Sequence, residues 1–201
     1  MIQIIGGRWK RRHLAAPEGR TVRPTLGRAR QALFDLLGQR CDGQRVLDLF
    51  AGSGAVGLEA LSRGAARAIF VESGRPALRA LERNIETLDA RELCAVIAGD
   101  AFRLAGEIAQ RGPFDLIFAD PPYGDSSQAT RGQSASRPLA LEERLKELLG
   151  TLAASSPEAV VVLQADARSE PPPPELLADS RQIGDTTFYF LDGKALAAQK
   201  G

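Results

Sequence analysis

The sequence predicts an α/β chain built on a doubly wound, mostly parallel seven-stranded sheet, with a small β-hairpin and helix added at its amino end. Three observations predict it. Apolar runs of strand length alternate with amphipathic helical runs from Arg45 to Leu163, the pattern of successive βαβ units. A glycine-rich turn, residues 51–57, follows the first of those strands. Acidic residues recur at or just past the strand ends, as Asp48, Glu72, Asp100 and Asp120. In a parallel sheet those ends share one edge, where open α/β sheets bind their ligands.

The chain has 201 residues, a length that favours one α/β unit with an appendage. We read residues 1–38 as a basic hairpin and helix. Residues 39–201 are read as the main domain. Cys41 and Cys94 show no metal-ligand spacing, so we expect reduced thiols, a cytoplasmic setting and no metal. No apolar run approaches the ~20 residues that span a bilayer, and residues 1–12 do not read as a signal peptide. A monomer is the default expectation.

The net charge of +1 hides an asymmetry. Residues 1–30 hold eight Lys and Arg against Glu18 alone, a net +7, so the remaining chain carries −6. A basic end on an acidic body suggests a polyanion docking at one end, and a solvated arginine-rich flap is the alternative. Residues 2–5 and 8–14 are read as the two strands of a hairpin around Gly6-Gly7. It would present Arg8, Lys10, Arg11 and Arg12, with Trp9 as anchor or stacking platform. Arg23-Pro24-Thr25 leads into an amphipathic helix with Leu26, Ala29, Leu33 and Leu37 on one face. Thr25 is its N-cap, Gly38 its end, and Arg28 and Arg30 lie off the apolar stripe.

Residues 45–50 form the first core strand, running into Ala51-Gly52-Ser53-Gly54 and a helix to about Arg63. Glycines there allow a sharp turn and close approach of a ligand to the main chain. Gly52, Gly54 and Gly57 also fit a dinucleotide fingerprint, so the glycines do not identify the cofactor. Residues 67–71 form a second strand ending at Glu72, an acid placed to take ribose hydroxyls. A helix over 74–88, a strand over 93–98 and a helix over 102–110 follow, with Asp100 just past the strand. Residues 114–118 are strand-like, and Pro121-Pro122 stops it, since neither proline can donate to a ladder.

Asp120 and the proline carbonyls are acceptors, and Tyr123 adds a flat π face. The set suits a planar group bearing an amine, such as a nucleobase; an ordinary strand-exit turn reads the same residues. Residues 124–137 are polar and aperiodic. A helix from Pro138, a buried strand over 159–163, a stiff connector at 171–174 and a closing strand over 183–191 complete the chain. Residues 195–201 are read as a frayed tail. The cleft is acidic and lacks a Walker lysine, which disfavours ATP. S-adenosylmethionine, with a ribose diol, an ammonium and a sulfonium, suits it better.

The run Asp48-Leu49-Phe50-Ala51-Gly52-Ser53-Gly54 with Glu72, Asp100 and Asp120-Pro121-Pro122-Tyr123 looks like a Rossmann-like class I methyltransferase that acts on exocyclic amines. Arg23-Pro24-Thr25, Arg28, Arg30 and Ala32-Leu33-Phe34, preceded by Ile4, Gly6, Lys10, Arg12 and Leu14, narrow the likeness. The chain resembles the RsmD family, which methylates the N2 amine of a guanine in bacterial 16S ribosomal RNA.

That resemblance implies S-adenosylmethionine as cofactor and 16S rRNA or the small ribosomal subunit as partner. It implies that Glu72 holds the ribose with Ser73 beside it, and that Asp100 and Ala101 face the adenine. The backbone at Phe50, Ala51, Gly52, Ser53 and Gly54, with Asp48 and Thr25, would hold the methionine end. Asp120, Pro121, Pro122 and Tyr123 would take the guanine. Arg8, Lys10, Arg11, Arg12, Arg23, Arg28 and Arg30 would contact RNA, so that residues 1–38 dock the RNA and close over the cofactor. Three other readings remain: an adenine-N6 methyltransferase, a non-catalytic RNA-binding module with a vestigial cleft, and a nicotinamide dehydrogenase. The last explains neither Asp48 nor Asp-Pro-Pro-Tyr.

Overall fold

The computed structural model describes residues 2–18, 25–122 and 141–198. A two-stranded hairpin, β1 (Ile2–Gln3) and β2 (His13–Leu14), precedes helix α1 (Thr25–Leu36). The main body then alternates β3 (Arg45–Leu49), α2 (Ala55–Ser62), β4 (Arg67–Glu72), α3 (Arg75–Thr87), β5 (Cys94–Ala98), α4 (Ala105–Ala109) and β6 (Leu116–Ala119). Helix α5 (Leu141–Ser155), β7 (Val160–Asp166), β8 (Leu177–Ile183), β9 (Thr186–Leu191) and α6 (Gly193–Ala198) close the chain.

The seven strands β3 to β9 form one sheet in the order β5-β4-β3-β6-β7-β9-β8. Neighbours among β3 to β7 pair in parallel, and β9 runs antiparallel to both β7 and β8. Alternate residues of each strand face opposite sides, so the sheet has two cores. Leu47, Leu49, Val71, Ile117 and Val161 pack under α4, α5 and α6. Val46, Phe70, Leu116, Phe118 and Val162 pack under α1, α2, α3 and the hairpin. Ile4 and Leu14 of the hairpin lie in that second core, so the amino-terminal extension is continuous with the body.

Several elements depart from the sequence reading. Residues 8–12 are not strand. Arg8 N–H donates to the Ser62 carbonyl at 2.8 Å and Trp9 N–H to Ser62 Oγ at 2.9 Å, which takes these amides out of a ladder. Gly7 and Arg11 have φ of 73° and 71°, a left-handed geometry a strand cannot hold. Strand β8 reads Leu-Ala-Asp-Ser-Arg-Gln-Ile, too polar to look like a strand, because it is the exposed sheet edge. The region read as a frayed tail instead carries α6, whose Leu196 is buried in the first core. The helix read over 102–110 is only Ala105–Ala109; the Asp100 carbonyl accepts from Arg103 and Leu104 N–H and holds 101–104 as a turn.

Candidate active site

The carboxyl ends of β5, β4, β3 and β6 stand side by side, and the sheet order sets the order of their chemistry. Asp100 follows β5, Glu72 ends β4, the glycine loop follows β3 and Asp120 follows β6. At about 4.8 Å per strand, the row spans roughly 14 Å.

The loop after β3 turns at once. Phe50 sits at φ 57°, a left-handed conformation that a bulky residue adopts only where its surroundings hold it. Its ring packs on Phe102, centroids 5.3 Å apart. Gly52 and Gly54 follow at φ 59° and 75°. A Cβ on Gly54 would fall 2.4 Å from Leu81 Cδ1, whereas a Cβ on Gly52 would meet nothing within 4 Å. Gly54 is therefore needed for packing, and Gly52 keeps the loop's outer face open.

Glu72 fixes the loop. Its Oε2 accepts from Gly52 N–H at 2.8 Å, while Oε1 accepts from Ser73 and Gly74 N–H at 2.8 and 2.7 Å. A carboxylate offers about four lone-pair sites, so Oε2 retains capacity for a hydroxyl. Between the ends of β4 and β5 lies a cavity of about 210 Å³ lined by Phe50, Glu72, Asp100, Phe102, Pro122 and Arg144, with Ser73 and Ala101 also on its wall. It is smaller than the ~300–1,000 Å³ of pockets that enclose a whole ligand, so it takes one end of an extended molecule.

Asp100 accepts from Phe102 N–H through Oδ1 at 3.0 Å, and its Oδ2 lies 3.6 Å from Arg144 Nη2. Pro122 carries the wall toward β6, so Asp120 and the Pro121 carbonyl stand two residues and one residue from the cavity. Asp120 is exposed and Pro121 buried.

Asp48 is a correction. It lies inside β3, paired in register with Phe70 and Phe118, and is 1% exposed. Its Oδ2 accepts from Gly57 N–H at 2.9 Å, so it braces the first turn of α2 and does not line the cavity. Burial pushes its carboxyl up to about 8, against the Gly57 hydrogen bond, with the charges of Asp120 and Glu72 adding to the rise.

Arg30 is a second correction. It lies 7% exposed on the packed face of α1, with Nη2 donating to the Gln3 carbonyl at 2.5 Å and Nε 3.6 Å from Glu59 Oε2. It faces the core because Glu59, fully buried on α2, needs a counter-charge. Glu59 also accepts from Arg63 Nε at 2.8 Å and from the N–H groups of Ile5 and Gly6 at 2.8 and 2.7 Å. Burial pulls Arg30 down from its ordinary value while Glu59 works against that pull.

The hairpin's basic residues sit at the other end of the sheet. Helix α2 starts at the glycine loop and ends at Ser62, which holds Arg8 and Trp9. Arg8, Lys10, Arg11 and Arg12 are exposed there, roughly 15 Å from the cavity, the length of a five-residue strand. Arg8 lies over the Trp9 ring at 4.1 Å, and Arg12 Nη2 donates to the Thr87 carbonyl at 2.6 Å. A groove of about 660 Å³ runs beside them, bordered by Arg40 and Arg63. Residues 2–14 therefore do not close over the cavity. The start of α1 lies nearer to it, since Arg30 meets Glu59 midway along α2 and Phe34 meets Arg63 past its end. Arg28 is exposed on α1. Arg23 and Tyr123 lie outside the described residues, as does the Thr25 side chain.

Two residues of the site escaped the sequence reading. Asn84, buried on α3, accepts from Ala15 N–H at 2.6 Å and donates to the Ser53 carbonyl at 2.9 Å and the Ala15 carbonyl at 3.0 Å. It clamps the glycine loop to the amino-terminal segment. Its signal was an amide beside Leu81 and Ile85 on an apolar helix face. Arg144, 44 positions beyond Asp100, gave no signal.

Among the described residues no group of three or more His, Cys, Asp and Glu could hold a metal, and no helix is long and apolar enough to cross a membrane. Burial pushes the Cys41 and Cys94 thiols up to about 11 and about 12, away from reactive thiolates.

Known proteins resemble this chain in sequence and fold. Ribosomal RNA small subunit methyltransferase D of Escherichia coli K12 is 42% identical over 123 residues, 61% of this chain and 60% of that protein. The protein of the same name from Haemophilus influenzae is 34% identical over 123 residues, 61% of this chain and 64% of its own length. The chain thus matches somewhat less than two thirds of each of these relatives. A solved structure of a hypothetical protein of Thermus thermophilus is 30% identical with a TM-score of 0.69, covering 96% of this chain and 99% of that one. The rRNA methyltransferase aviRa of Streptomyces viridochromogenes, 18% identical at a TM-score of 0.66 over 94% and 92% of the two chains, shares the fold. The family model described as conserved hypothetical protein 95 matches residues 2–192, and the chain belongs to that family, the RsmD family.

Proposed function

We propose that this chain is an S-adenosylmethionine-dependent methyltransferase that modifies the exocyclic N2 amine of a guanine in bacterial 16S rRNA. One observation carries the reading: the order Asp100, Glu72, glycine loop, Asp120 along the sheet edge. That is the order in which adenine amine, ribose diol, methionine and acceptor base would follow one another. The relatives named rRNA small subunit methyltransferase support the substrate class.

The residues present fit the cofactor. The cavity between β4 and β5 has an aromatic side at Phe50 and Phe102, an acceptor for a purine amine at Asp100 and one for a ribose hydroxyl at Glu72. Gly52 leaves the loop face bare for the methionine part. When bound, S-adenosylmethionine supplies a methyl group on a cationic sulfur, electrophilic without further activation.

The protein's task is orientation. An aromatic amine is a weak nucleophile because its lone pair is delocalised into the ring. Asp120 and the Pro121 carbonyl accept its two hydrogens and aim the lone pair toward the glycine loop, which favours the pyramidal form. With the cofactor held there, the methyl–sulfur bond would break as the nitrogen–methyl bond formed, leaving the neutral thioether, and Asp120 or water would take the proton that the nitrogen then loses. Positioning of this kind provides most of the rate. The basic hairpin, about a strand length away, contacts a second part of the same RNA, which favours a structured substrate such as the small subunit over a short oligonucleotide.

The test is methyl transfer from labelled S-adenosylmethionine to small subunits lacking the modification, to naked 16S rRNA and to duplex DNA, followed by nucleoside analysis. We expect N2-methylguanosine on subunits, reduced about 10²-fold in Asp120→Ala. N6-methyladenine in DNA would replace this reading with the adenine one. Tight cofactor binding with no transfer to any substrate would favour the non-catalytic module.

A further inference from the structure

We infer that Arg144 is a positioning residue for the adenine end of the cofactor: it sets the carboxylate and the aromatic face that together select a purine carrying an amine. The inference rests on the reading above that the 210 Å³ cavity takes the adenosine end.

Arg144 lies in the first turn of α5 and reaches the cavity wall. Its guanidinium carbon is 4.0 Å from the Phe102 ring centroid, and its Nη2 is 3.6 Å from Asp100 Oδ2. One planar group thus touches both neighbours that a purine would meet. A cation stacked on an aromatic face holds more strongly when partly desolvated, and the Arg144 side chain is 39% exposed.

Asp100 needs such a partner. Phe102 N–H takes Oδ1, which leaves Oδ2 as the oxygen able to face a ligand amine. Among the described residues, the other cation near Oδ2 is Arg103, at 3.8 Å with its side chain 86% exposed. A solvated i,i+3 pair of that kind restrains little. Arg144 comes from a different element, with its own orientation fixed by the Phe102 face. It therefore decides whether Oδ2 stays aimed at the cavity. The ring it holds packs in turn on Phe50, the strained residue that opens the glycine loop.

The experiment measures binding of S-adenosylhomocysteine and of its deaminated counterpart, S-inosylhomocysteine, by titration calorimetry on the full chain. Wild type is compared with Arg144→Ala, Arg144→Lys and Arg103→Ala, and each ligand-free protein is checked by thermal unfolding. Wild type prefers the amine-bearing ligand by about tenfold, the value of one well-aligned hydrogen bond. Arg144→Ala reduces that preference to about threefold or less with an unchanged unfolding midpoint. Arg144→Lys recovers it only in part, because an ammonium keeps the charge and loses the planar stack. Arg103→Ala leaves the preference intact.

A preference unchanged in Arg144→Ala overturns the inference, even if both ligands bind more weakly, since a generic wall residue would weaken them equally. Wild-type protein that binds neither ligand overturns the reading of the cavity itself.

Discussion

Asp48 is fully buried and its carboxyl is pushed up to about 8, against an ordinary value near ~3.9. Between those limits the folded chain holds a proton that the unfolded chain has released. Stability therefore falls as pH rises from about 4 to about 8, by about 1.4 kcal/mol per pH unit from this group, and levels off above. Asp48→Asn keeps an acceptor for Gly57 N–H and removes that slope. Denaturant titrations at pH 5, 7 and 9 should show the variant gaining on wild type as pH rises; a constant difference would mean that Asp48 is not the source. Glu59 makes a different prediction. Glu59→Ala strands Arg30 and Arg63 and unpairs two hairpin amides, a loss of about 3–5 kcal/mol. Calorimetry should show a Tm lower by roughly 10 °C. At this scale the sequence told part of the site. The placement of Glu72, Asp100 and Asp120 along one edge was legible because an acid after a strand of a parallel sheet has one edge to occupy. Arg30, read as contacting RNA, is buried because its partner Glu59 lies far off in sequence, and Asp48, read as holding the methionine end, is buried inside β3 against Gly57.

The glycine loop is the element in which fold and function separate. Gly57→Ala forces a Cβ to 2.4 Å from Phe70 Cε1, and Gly54→Ala to 2.4 Å from Leu81 Cδ1; both overpack a buried face, at about 1–3 kcal/mol. Gly52→Ala meets no atom within 4 Å and pays only for its left-handed φ, about 1–2 kcal/mol. We expect Gly52→Ala to fold and to lose affinity for S-adenosylhomocysteine by more than tenfold, with Gly54→Ala and Gly57→Ala showing the larger drop in Tm. Equal affinity in Gly52→Ala and wild type would remove the methionine end from this loop. Which glycine does which task was not legible, because the spacing is the same for either use. Strand β8 and helix α6 were missed for related reasons. An edge strand has no buried face to give it an alternating pattern, and α6 is a six-residue helix whose burial rests mainly on Leu196.

On the scale of the molecule, the hairpin's basic residues and the cavity occupy opposite ends of the sheet. Charge at the far end should act on encounter and docking more than on the transfer step. The double variant Arg8→Glu/Lys10→Glu should raise KM for small subunits about tenfold or more, flatten its dependence on salt and leave kcat within about twofold. Steady-state assays at two ionic strengths check this, and a kcat that falls with KM unchanged would place the hairpin at the reacting base after all. The alternating sheet and its binding edge were legible because periodicity and strand-end chemistry are local. The hairpin's distance from the cavity was not, since it depends on Ser62 and Glu59, more than fifty positions on.

That placement has a consequence for how the chain is made. Residues 2–15 are tied to Glu59, Ser62, Asn84 and Thr87. Synthesis delivers residues 2–15 before α2 and α3, so these four partners do not yet exist when the segment emerges. These residues are made before their partners and settle after them, a basic ribbon trailing from a nascent chain beside the ribosome that made it.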